Sequence, residues 1–225
     1  EYCTSGGYTI PVFAPSTPQE CFELTTAAIF WSEKLRTPVI VLSDKEVGMM
    51  SEDVAYDDLK SFSINKRKEF SDEAANGHGH WTYDFVRMED VPLFSPVGGK
   101  WKVTMTGSAH DKRGALQKNS TETLEVLAHL QEKISANRDE LAYIDIDDQA
   151  DAEILLISFG ITARTSREAV RIARSHGKKI RFANVQSLFP IPEKKLTEAA
   201  RNVHTVIVAE ENMTGQYRSV IQHVF

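Results

Sequence analysis

Cysteine is scarce in this chain of 225 residues, and long hydrophobic runs are missing. Only Cys3 and Cys21 occur, without metal-type spacing, so a disulfide or zinc framework is not expected and a reducing cytoplasm fits best. No apolar run approaches the roughly 18 residues that a membrane span requires. Lys and Arg number 26 against 32 Asp and Glu, and the resulting net charge of −6 argues against a nucleic-acid partner.

A strand, a helix and a second strand are predicted at the start of the chain. Residues 9–16 form the first strand, and Thr17 and Glu20 form a capping box around Pro18, which predicts the helix start. Residues 38–43 are rich in β-branched side chains, as in a buried strand of a parallel sheet. Because two strands do not form a stable sheet alone, the other half of this domain is expected before the first residue.

Periodicity is lost between about Asp44 and Lys100, where charged residues, glycines and scattered aromatic residues alternate. This stretch predicts an excursion or linker that is ordered by another lobe or subunit. His78 and His80 lack acidic or cysteine residues at a supporting spacing, so they are interpreted as loop histidines and not as metal ligands.

The rest of the chain predicts a mostly parallel α/β lobe. Residues 101–108 alternate as a strand, and residues 121–137 predict a helix. The apolar face of that helix is predicted to contain Leu124, Leu127, Ala128, Gln131 and Ile134. Residues 153–160, 179–192 and 204–212 each read as a strand that leads into a helix, which predicts parallel strands with right-handed crossovers.

The helix after residue 160 has two features with a functional and a structural interpretation. Gly160, Thr162 and Thr165 lie where a helix N-terminus can bind phosphate, but the segment lacks GxGxxG spacing and a P-loop lysine, so a tight turn is favoured. Arginines at helical spacing form a stripe, for which a solvated face is favoured over docking onto an acidic partner. The stripe consists of Arg164, Arg167, Arg171 and Arg174.

Two loops contain the candidate site residues. In GSAHDKRG, an Asp beside a His can orient the imidazole for acid–base chemistry, and a structured polar turn is the alternative. In EEN, paired carboxylates fit proton transfer or a turn capped by Thr214, and capping with interface contact is favoured because no nucleophile or base completes a group. The site-adjacent or interface candidates are His110, Asp111, Arg113, Glu211, Asn212 and Gln216. No catalytic residue is expected in the chain.

Five stretches occur in an order that is typical of one family. They are ECFELTTAAIFWSEKLRTPVIVLSD (20–44), VTMTGSAHDKRG (103–114), ILLISFGITARTSREAV (154–170), SLFPIPEKKL (187–196) and VIVAEENMTGQ (206–216). Together they resemble the alpha subunit of the 2-oxoacid:ferredoxin oxidoreductases, most closely the 2-oxoglutarate type. The resemblance spans nearly the whole chain apart from about residues 60–90.

The resemblance implies an α/β fold in three parts. Residues 1–48 would be the C-terminal part of a pyrimidine-type domain that binds thiamine diphosphate, and residues 49–100 a linker or excursion. Residues 101–225 would form a transketolase C-terminal-like, three-layer α/β domain with a mostly parallel sheet.

The resemblance also implies an activity that belongs to an assembly. Such enzymes decarboxylate a 2-oxo acid on thiamine diphosphate, pass electrons through iron–sulfur clusters to ferredoxin, and form acyl-CoA. In the family, the activating glutamate and the residues that hold the oxo acid precede the stretch that matches Tyr8 to Asp44. The diphosphate and Mg²⁺ site and the cluster cysteines belong to the beta subunit or to other domains. The chain alone is therefore expected to bind no cofactor and to act in a cytoplasmic hetero-oligomer with the beta subunit, ferredoxin, coenzyme A and the 2-oxo acid.

Two other interpretations remain open. The chain could be a non-catalytic dimerisation or docking module that uses the arginine stripe. It could also be a fragment related to transketolase or deoxyxylulose phosphate synthase, because the same fold serves either chemistry.

Overall fold

A computed structural model describes residues 9–64, 66–74 and 79–225, so Cys3 and His78 lie outside the described residues. The strands of the described residues are β1 (Val12–Phe13), β2 (Ile40–Val41), β3 (Ile144–Asp147), β4 (Ile154–Ser158), β5 (Ile180–Val185), β6 (Ser187–Phe189) and β7 (Thr205–Ala209). Their α-helices are α1 (Pro18–Leu35), α2 (Lys45–Met49), α3 (Thr121–Ser135), α4 (Arg138–Leu141), α5 (Gly160–Ser175), α6 (Glu193–Ala199) and α7 (Gln216–Ile221). None of these helices is long and apolar enough to cross a membrane.

The chain divides into two compact units, each assembled from several segments. Unit 1 contains the described residues within Glu1–Ile10, Ile29–Pro38 and Ser63–Asn137. Unit 2 contains Pro11–Ala28, Val39–Phe62 and Arg138–Phe225. Both units therefore draw on segments that are far apart in sequence.

A four-stranded sheet with the order β3-β5-β4-β7 is the centre of unit 2. Strands β5, β4 and β7 are parallel to one another, and β3 is antiparallel to β5. The predicted mostly parallel sheet and the three strand-to-helix steps are confirmed. Helices α6 and α7 pack on a buried cluster that includes Leu155, Ile157, Val185, Leu196 and Ile221.

Strand β3 was not anticipated, although its sequence has a strand pattern. Isoleucine and aspartate alternate over Ile144–Asp147, and such alternation places one residue type on each face of a strand. Ile144 and Ile146 pack against the core cluster of unit 2.

Residues 179–192 were expected to form one strand and form two. Strand β5 belongs to the four-stranded sheet, whereas β6 joins a second sheet with the order β2-β1-β6. In that sheet β1 is parallel to β2 and antiparallel to β6. Strand β6 ends before Pro190, because proline has no N–H to continue a ladder.

The helix predicted from the capping box is confirmed as α1, and the flanking strands are shorter than expected. Strands β1 and β2 have two residues each and pair in the predicted parallel direction. Strand β2 lies at the edge of its sheet among the described residues, and Ile40 is 44% exposed.

Unit 1 contains most of the aperiodic stretch and is ordered by contacts of its own. The Arg36 guanidinium donates hydrogen bonds to the carbonyls of Pro92 and Leu93, at 2.7 and 2.9 Å, and the Arg67 guanidinium lies over the Phe94 ring at 4.6 Å.

The prediction of a strand at residues 101–108 is wrong, because these residues form no strand. In that segment the Thr104 N–H donates to the Thr82 hydroxyl at 3.1 Å and has no ladder partner on another strand. Side-chain hydrogen bonds thus replace strand pairing at this position.

Helix α3 is confirmed, but the face predicted to be buried is wrong. Leu124 is 67% exposed, whereas the buried residues include Thr123, Val126, His129 and Lys133. The His129 ring stacks on Phe85 with a centroid distance of 4.0 Å, which turns polar residues of the helix inward. Ile134 is buried as predicted.

Candidate functional site

Glu20 joins the start of α1 to the end of β5 within unit 2. Its Oε2 accepts hydrogen bonds from the Ser16 N–H and hydroxyl, both at 2.7 Å. Its Oε1 accepts from the amides of Asn184 and Gln186, at 3.0 and 2.8 Å. Thr17 accepts from the Glu20 N–H as the capping box predicted, at 3.1 Å, but the Glu20 carboxylate bonds to Ser16 and not to Thr17. Both oxygens of Glu20 are thus engaged by this chain's own donors.

Asn184 and Ser158 are fully buried neighbours on adjacent parallel strands. The Asn184 Oδ1 and the Ser158 hydroxyl have no hydrogen-bond partner among the described residues. Buried polar atoms without partners are uncommon and costly, so this edge of the sheet retains unused hydrogen-bonding capacity. Neither residue was singled out from the sequence, because both lie within apolar strands.

The N-terminus of α5 binds the carboxylate of Asp44. The Asp44 Oδ2 accepts from the Ile161 N–H at 2.6 Å, and a Cβ built on Gly160 would lie 2.2 Å from the same oxygen. Gly160 has a φ of +57°, a conformation that favours glycine. The tight-turn interpretation therefore holds, and a phosphate at this helix start would meet an existing negative charge.

Glu210 caps α7 at the end of β7. Its Oε2 accepts from the Tyr217 N–H at 2.8 Å and its Oε1 from the Arg218 N–H at 3.0 Å. Burial raises the pKa of Glu210, but the hydrogen bonds from Arg218, Tyr217 and Asn212 outweigh it and hold that pKa below its ordinary value. The carboxylate therefore stays ionised as a helix cap.

The prediction that Thr214 caps the helix after this loop is wrong. Helix α7 begins at Gln216, after Gly215 in a left-handed conformation with a φ of +64°. The Asn212 Oδ1 accepts from the Gln216 N–H at 2.9 Å, so two of the candidate residues form one capping contact. Glu211, the third candidate in this loop, is exposed.

The HDKRG segment of unit 1 is a tightly bonded turn. The Asp111 carboxylate is 1% exposed and accepts from the N–H groups of Arg113 and Ala115 and from the Arg113 guanidinium, at 2.8 to 3.0 Å. Burial raises the pKa of Asp111, but the hydrogen bonds from Arg113 and Ala115 together lower it by more. The pKa of Asp111 therefore lies below its ordinary value. The His110 Nδ1 lies 3.0 Å from the main-chain oxygen of Asp111, and its ring stacks on Tyr83. The Asp111 carboxylate therefore contacts Arg113 and does not orient the imidazole.

Every arginine of the stripe has a carboxylate partner in unit 2. The ion pairs are Arg164–Glu52, Arg167–Asp145, Arg174–Asp147, each at 2.9 Å, and Arg171–Glu168 at 2.7 Å. These pairs neutralise the stripe within the chain. The solvated-face interpretation fits them better than docking onto an acidic partner.

Two buried titratable side chains of unit 1, Lys133 and His129, were not identified from the sequence. Lys133 is 2% exposed, and burial, with repulsion from Arg36, lowers its pKa to about 8. Burial also lowers the pKa of His129, whose Nδ1 lies 2.7 Å from the Met88 carbonyl oxygen. A helical lysine or histidine reads as solvent-facing in a single sequence, so no pattern identifies this group.

Metal-binding side chains do not converge in the part of the chain that the structure describes. No group of three or more His, Cys, Asp or Glu side chains there is placed to hold a metal ion. The His80 Nε2 lies 3.2 Å from the Leu93 carbonyl oxygen. Cys21 is a free thiol, and burial raises its pKa.

Comparisons with known proteins agree over almost the entire chain. The family model described as pyruvate flavodoxin/ferredoxin oxidoreductase, thiamine diphosphate-binding, matches residues 3–129. The model described as pyruvate:ferredoxin oxidoreductase core domain II matches residues 152–224.

Curated relatives are similar over the same extent. The 2-oxoglutarate synthase subunit KorA of Methanothermobacter marburgensis is 34% identical over 97% of this chain and 57% of its own length. KorA of Methanocaldococcus jannaschii is 29% identical over 96% of this chain and 56% of its own length. The ketoisovalerate oxidoreductase subunit VorB of M. marburgensis is 28% identical over 96% of this chain and 53% of its own length. The chain thus spans about half the length of the curated relatives it matches.

A solved structure shares the fold. The 2-oxoglutarate:ferredoxin oxidoreductase of Magnetococcus marinus, determined with 2-oxoglutarate, coenzyme A and succinyl-CoA bound, aligns with a TM-score of 0.76 and 23% identity. The alignment covers 95% of this chain and 37% of that one.

Proposed function

Because the chain belongs to the pyruvate flavodoxin/ferredoxin oxidoreductase family, we propose that it is part of the alpha subunit of a 2-oxoacid:ferredoxin oxidoreductase. The assembled enzyme oxidatively decarboxylates a 2-oxo acid, forms its acyl-CoA and reduces ferredoxin. The observation that carries this proposal is the match of two domain models of one enzyme family, in order, to residues 3–129 and 152–224.

We favour 2-oxoglutarate as the 2-oxo acid. Two relatives from different organisms that carry the name 2-oxoglutarate synthase are 34% and 29% identical to this chain. A relative named for ketoisovalerate is 28% identical, so a branched-chain oxo acid is the competing substrate.

The cofactors of the reaction fit the assembly better than this segment. Thiamine diphosphate, when bound, supplies the carbanion chemistry of decarboxylation. The thiamine diphosphate-binding family model matches residues 3–129, but the chain covers only 57% of the length of the M. marburgensis KorA subunit. We therefore assign thiamine diphosphate with Mg²⁺, and the iron–sulfur clusters, to sites completed by the beta subunit or other parts of the enzyme.

The candidate loops then have positioning and contact roles. The Glu210 cap and the Asp111 turn each fix a loop through hydrogen bonds to both oxygens of a carboxylate. Glu211 is exposed beside the first loop, and Arg113 beside the second, so both can contact partner chains in a cytoplasmic hetero-oligomer.

The experiment is reconstitution of the chain with its partner subunits, followed by an assay of viologen reduction that depends on both the oxo acid and coenzyme A. We expect activity with 2-oxoglutarate that exceeds activity with 2-oxoisovalerate, and no turnover by the chain alone. Activity with xylulose phosphate in place of a 2-oxo acid would support the transketolase-like interpretation and contradict this proposal. A complex that is intact but inactive with every 2-oxo acid would support the docking-module interpretation.

A further inference from the structure

A cavity of about 910 Å³ opens in unit 1, and none of the candidate site residues of the two loops lines it. This volume lies within the range of small-molecule sites. Its lining includes the aromatic residues Phe70 and Trp81. Phe85 also lines it, but the Phe85 ring is covered by His129 and Lys112. Basic and acidic side chains also line the cavity. The ion pairs among them determine the net charge that a ligand would meet.

The carboxylates of the lining are all engaged in ion pairs. The pairs are Glu33–Arg67, Asp90–Arg87 at 2.9 Å, Glu89–Arg87 at 3.5 Å and Asp84–Lys112 at 4.0 Å. By contrast, Arg36, Lys66 and Lys68 line the same cavity and have no ion pair with any described residue. The lining therefore carries an uncompensated positive charge in a chain whose net charge is −6.

The hydrogen bonds that Arg36 donates to described residues go to neutral carbonyl oxygens. Its Nη1 donates to the carbonyls of Pro92 and Leu93, which orient the guanidinium without neutralising it. Burial lowers the pKa of Arg36, which means that its charge is partly desolvated. A desolvated cation without a counter-charge interacts strongly with an anion that reaches it.

Lys133 adds a second buried charge behind the same wall. Its side chain is 2% exposed, its ammonium group has no ion pair among the described residues, and its charge and that of Arg36 repel each other. Asn137, which lines the cavity, donates to the Lys133 carbonyl at 2.9 Å and so joins this part of α3 to the wall. An anion near Arg36 would relieve the repulsion between the two like charges.

We propose that this cavity binds a small molecule that carries a diphosphate group. Arg36, Lys66 and Lys68 contact the phosphate oxygens, and Lys133 strengthens the field from behind. The aromatic residues Phe70 and Trp81 suit an attached ring, so a nucleoside diphosphate is the favoured source of the diphosphate, and free pyrophosphate is the other. This inference does not rest on the proposed reaction, because binding can be measured without turnover.

The test is calorimetric titration of the full chain with pyrophosphate and, separately, with ADP at low ionic strength. We expect one ligand per chain, a Kd that rises with salt, and quenching of tryptophan fluorescence that Trp81→Phe reduces. Tighter binding of ADP than of pyrophosphate would identify a nucleotide as the ligand, and equal binding would identify the diphosphate alone. Either outcome supports the site.

The double variant Lys66→Glu, Lys68→Glu should weaken binding at least tenfold. The matched control is Lys102→Glu, Lys118→Glu, which changes the net charge equally at exposed lysines of unit 1 that do not line the cavity. Lys133→Met should weaken binding several-fold and reduce its salt dependence. The proposal is overturned if neither ligand binds, or if the control weakens binding as much as the cavity variant.

Discussion

Gly160 and Asp44 lie so close together that one methyl group on the glycine would be 2.2 Å from the Asp44 carboxylate. The same carboxylate oxygen accepts from the Ile161 N–H at 2.6 Å and so caps α5. A helix start that resembles an anion site in sequence is thus bound by an anion from the chain itself. The close approach also means that substitutions at the two positions should not act independently.

Gly160→Ala should lower the free energy of unfolding by about 1–2 kcal/mol from the left-handed backbone conformation alone, with a further loss from displacing Asp44. Asp44→Ala should cost about 1 kcal/mol through loss of the cap. In the Asp44→Ala background Gly160→Ala should cost less, because no carboxylate remains to be displaced. Urea unfolding of the four proteins measures the coupling.

Gly177→Ala is the matched control, because Gly177 has a φ of +78° and no atom within 4 Å of an added Cβ. It should report backbone strain alone. If Gly160→Ala costs no more than Gly177→Ala, and the double variant is additive, the close approach to Asp44 has no energetic consequence.

Glu20→Gln should destabilise unit 2 by about 1–3 kcal/mol. The Glu20 carboxylate accepts four hydrogen bonds, and the amide of glutamine would place an NH₂ donor against some of those donors. Glu125→Gln, at an exposed position of α3, is the control and should be nearly neutral. Thermal unfolding monitored by circular dichroism gives both values. Equal stabilities of the two variants would mean that the Glu20 contacts contribute little.

The sequence predicts those parts of the fold in which a local pattern of residues determines the secondary structure. The apolar runs at residues 153–160 and 204–212 form β4 and β7, which pair in the predicted parallel direction. The prediction of one strand at residues 179–192 is wrong, because the transition from β5 to β6 depends on pairing with β1. That partner strand lies more than 160 residues earlier in the chain. No local pattern contains that information.

The candidate site is predicted less well, since its features depend on partners distant in sequence. The capping role of Glu210 is visible in outline, but the cap position depends on how Gly215 turns the chain. Lys133 lies in a correctly predicted helix, on the face that its residue type assigns to solvent. Its burial follows from the packing of His129 on Phe85, which is a contact between residues more than 40 positions apart.

Glu210→Gln should destabilise the chain by about 1–2 kcal/mol near neutral pH, because the amide loses one of the two accepting oxygens that cap α7. The pKa of Glu210 is lowered on folding, so its contribution is present above its unfolded pKa and is lost as pH falls through the folded one. The stability difference between Glu210→Gln and the parent should therefore shrink below about pH 4.

Glu211→Gln is the neighbouring control for this prediction, since Glu211 is exposed and accepts none of the α7 backbone hydrogen bonds described for Glu210. Its stability should follow the parent protein at every pH. A Glu211→Gln variant as destabilised as Glu210→Gln would show that loop charge, and not the helix cap, controls stability here.

Lys133→Met should raise the free energy of unfolding at pH 7, because the buried ammonium is desolvated and repelled by Arg36. Folding lowers the pKa of Lys133 from 10.5 to about 8, which corresponds to a penalty of about 3 kcal/mol below pH 8. Between pH 8 and 10.5 the unfolded chain holds a proton that the folded chain has released, so stability rises with pH in that window.

The measurement is urea unfolding between pH 7 and 10 for the parent, Lys133→Met and the exposed control Lys118→Met. Arg36 and His129 are the charged or titratable groups coupled to Lys133, and both remain in all three proteins. The parent and Lys118→Met should gain stability relative to Lys133→Met as pH rises from 8 to 10. If all three proteins share one pH profile, the Lys133 amine keeps an ordinary pKa in the folded chain, and its place behind the cavity wall contributes no buried charge.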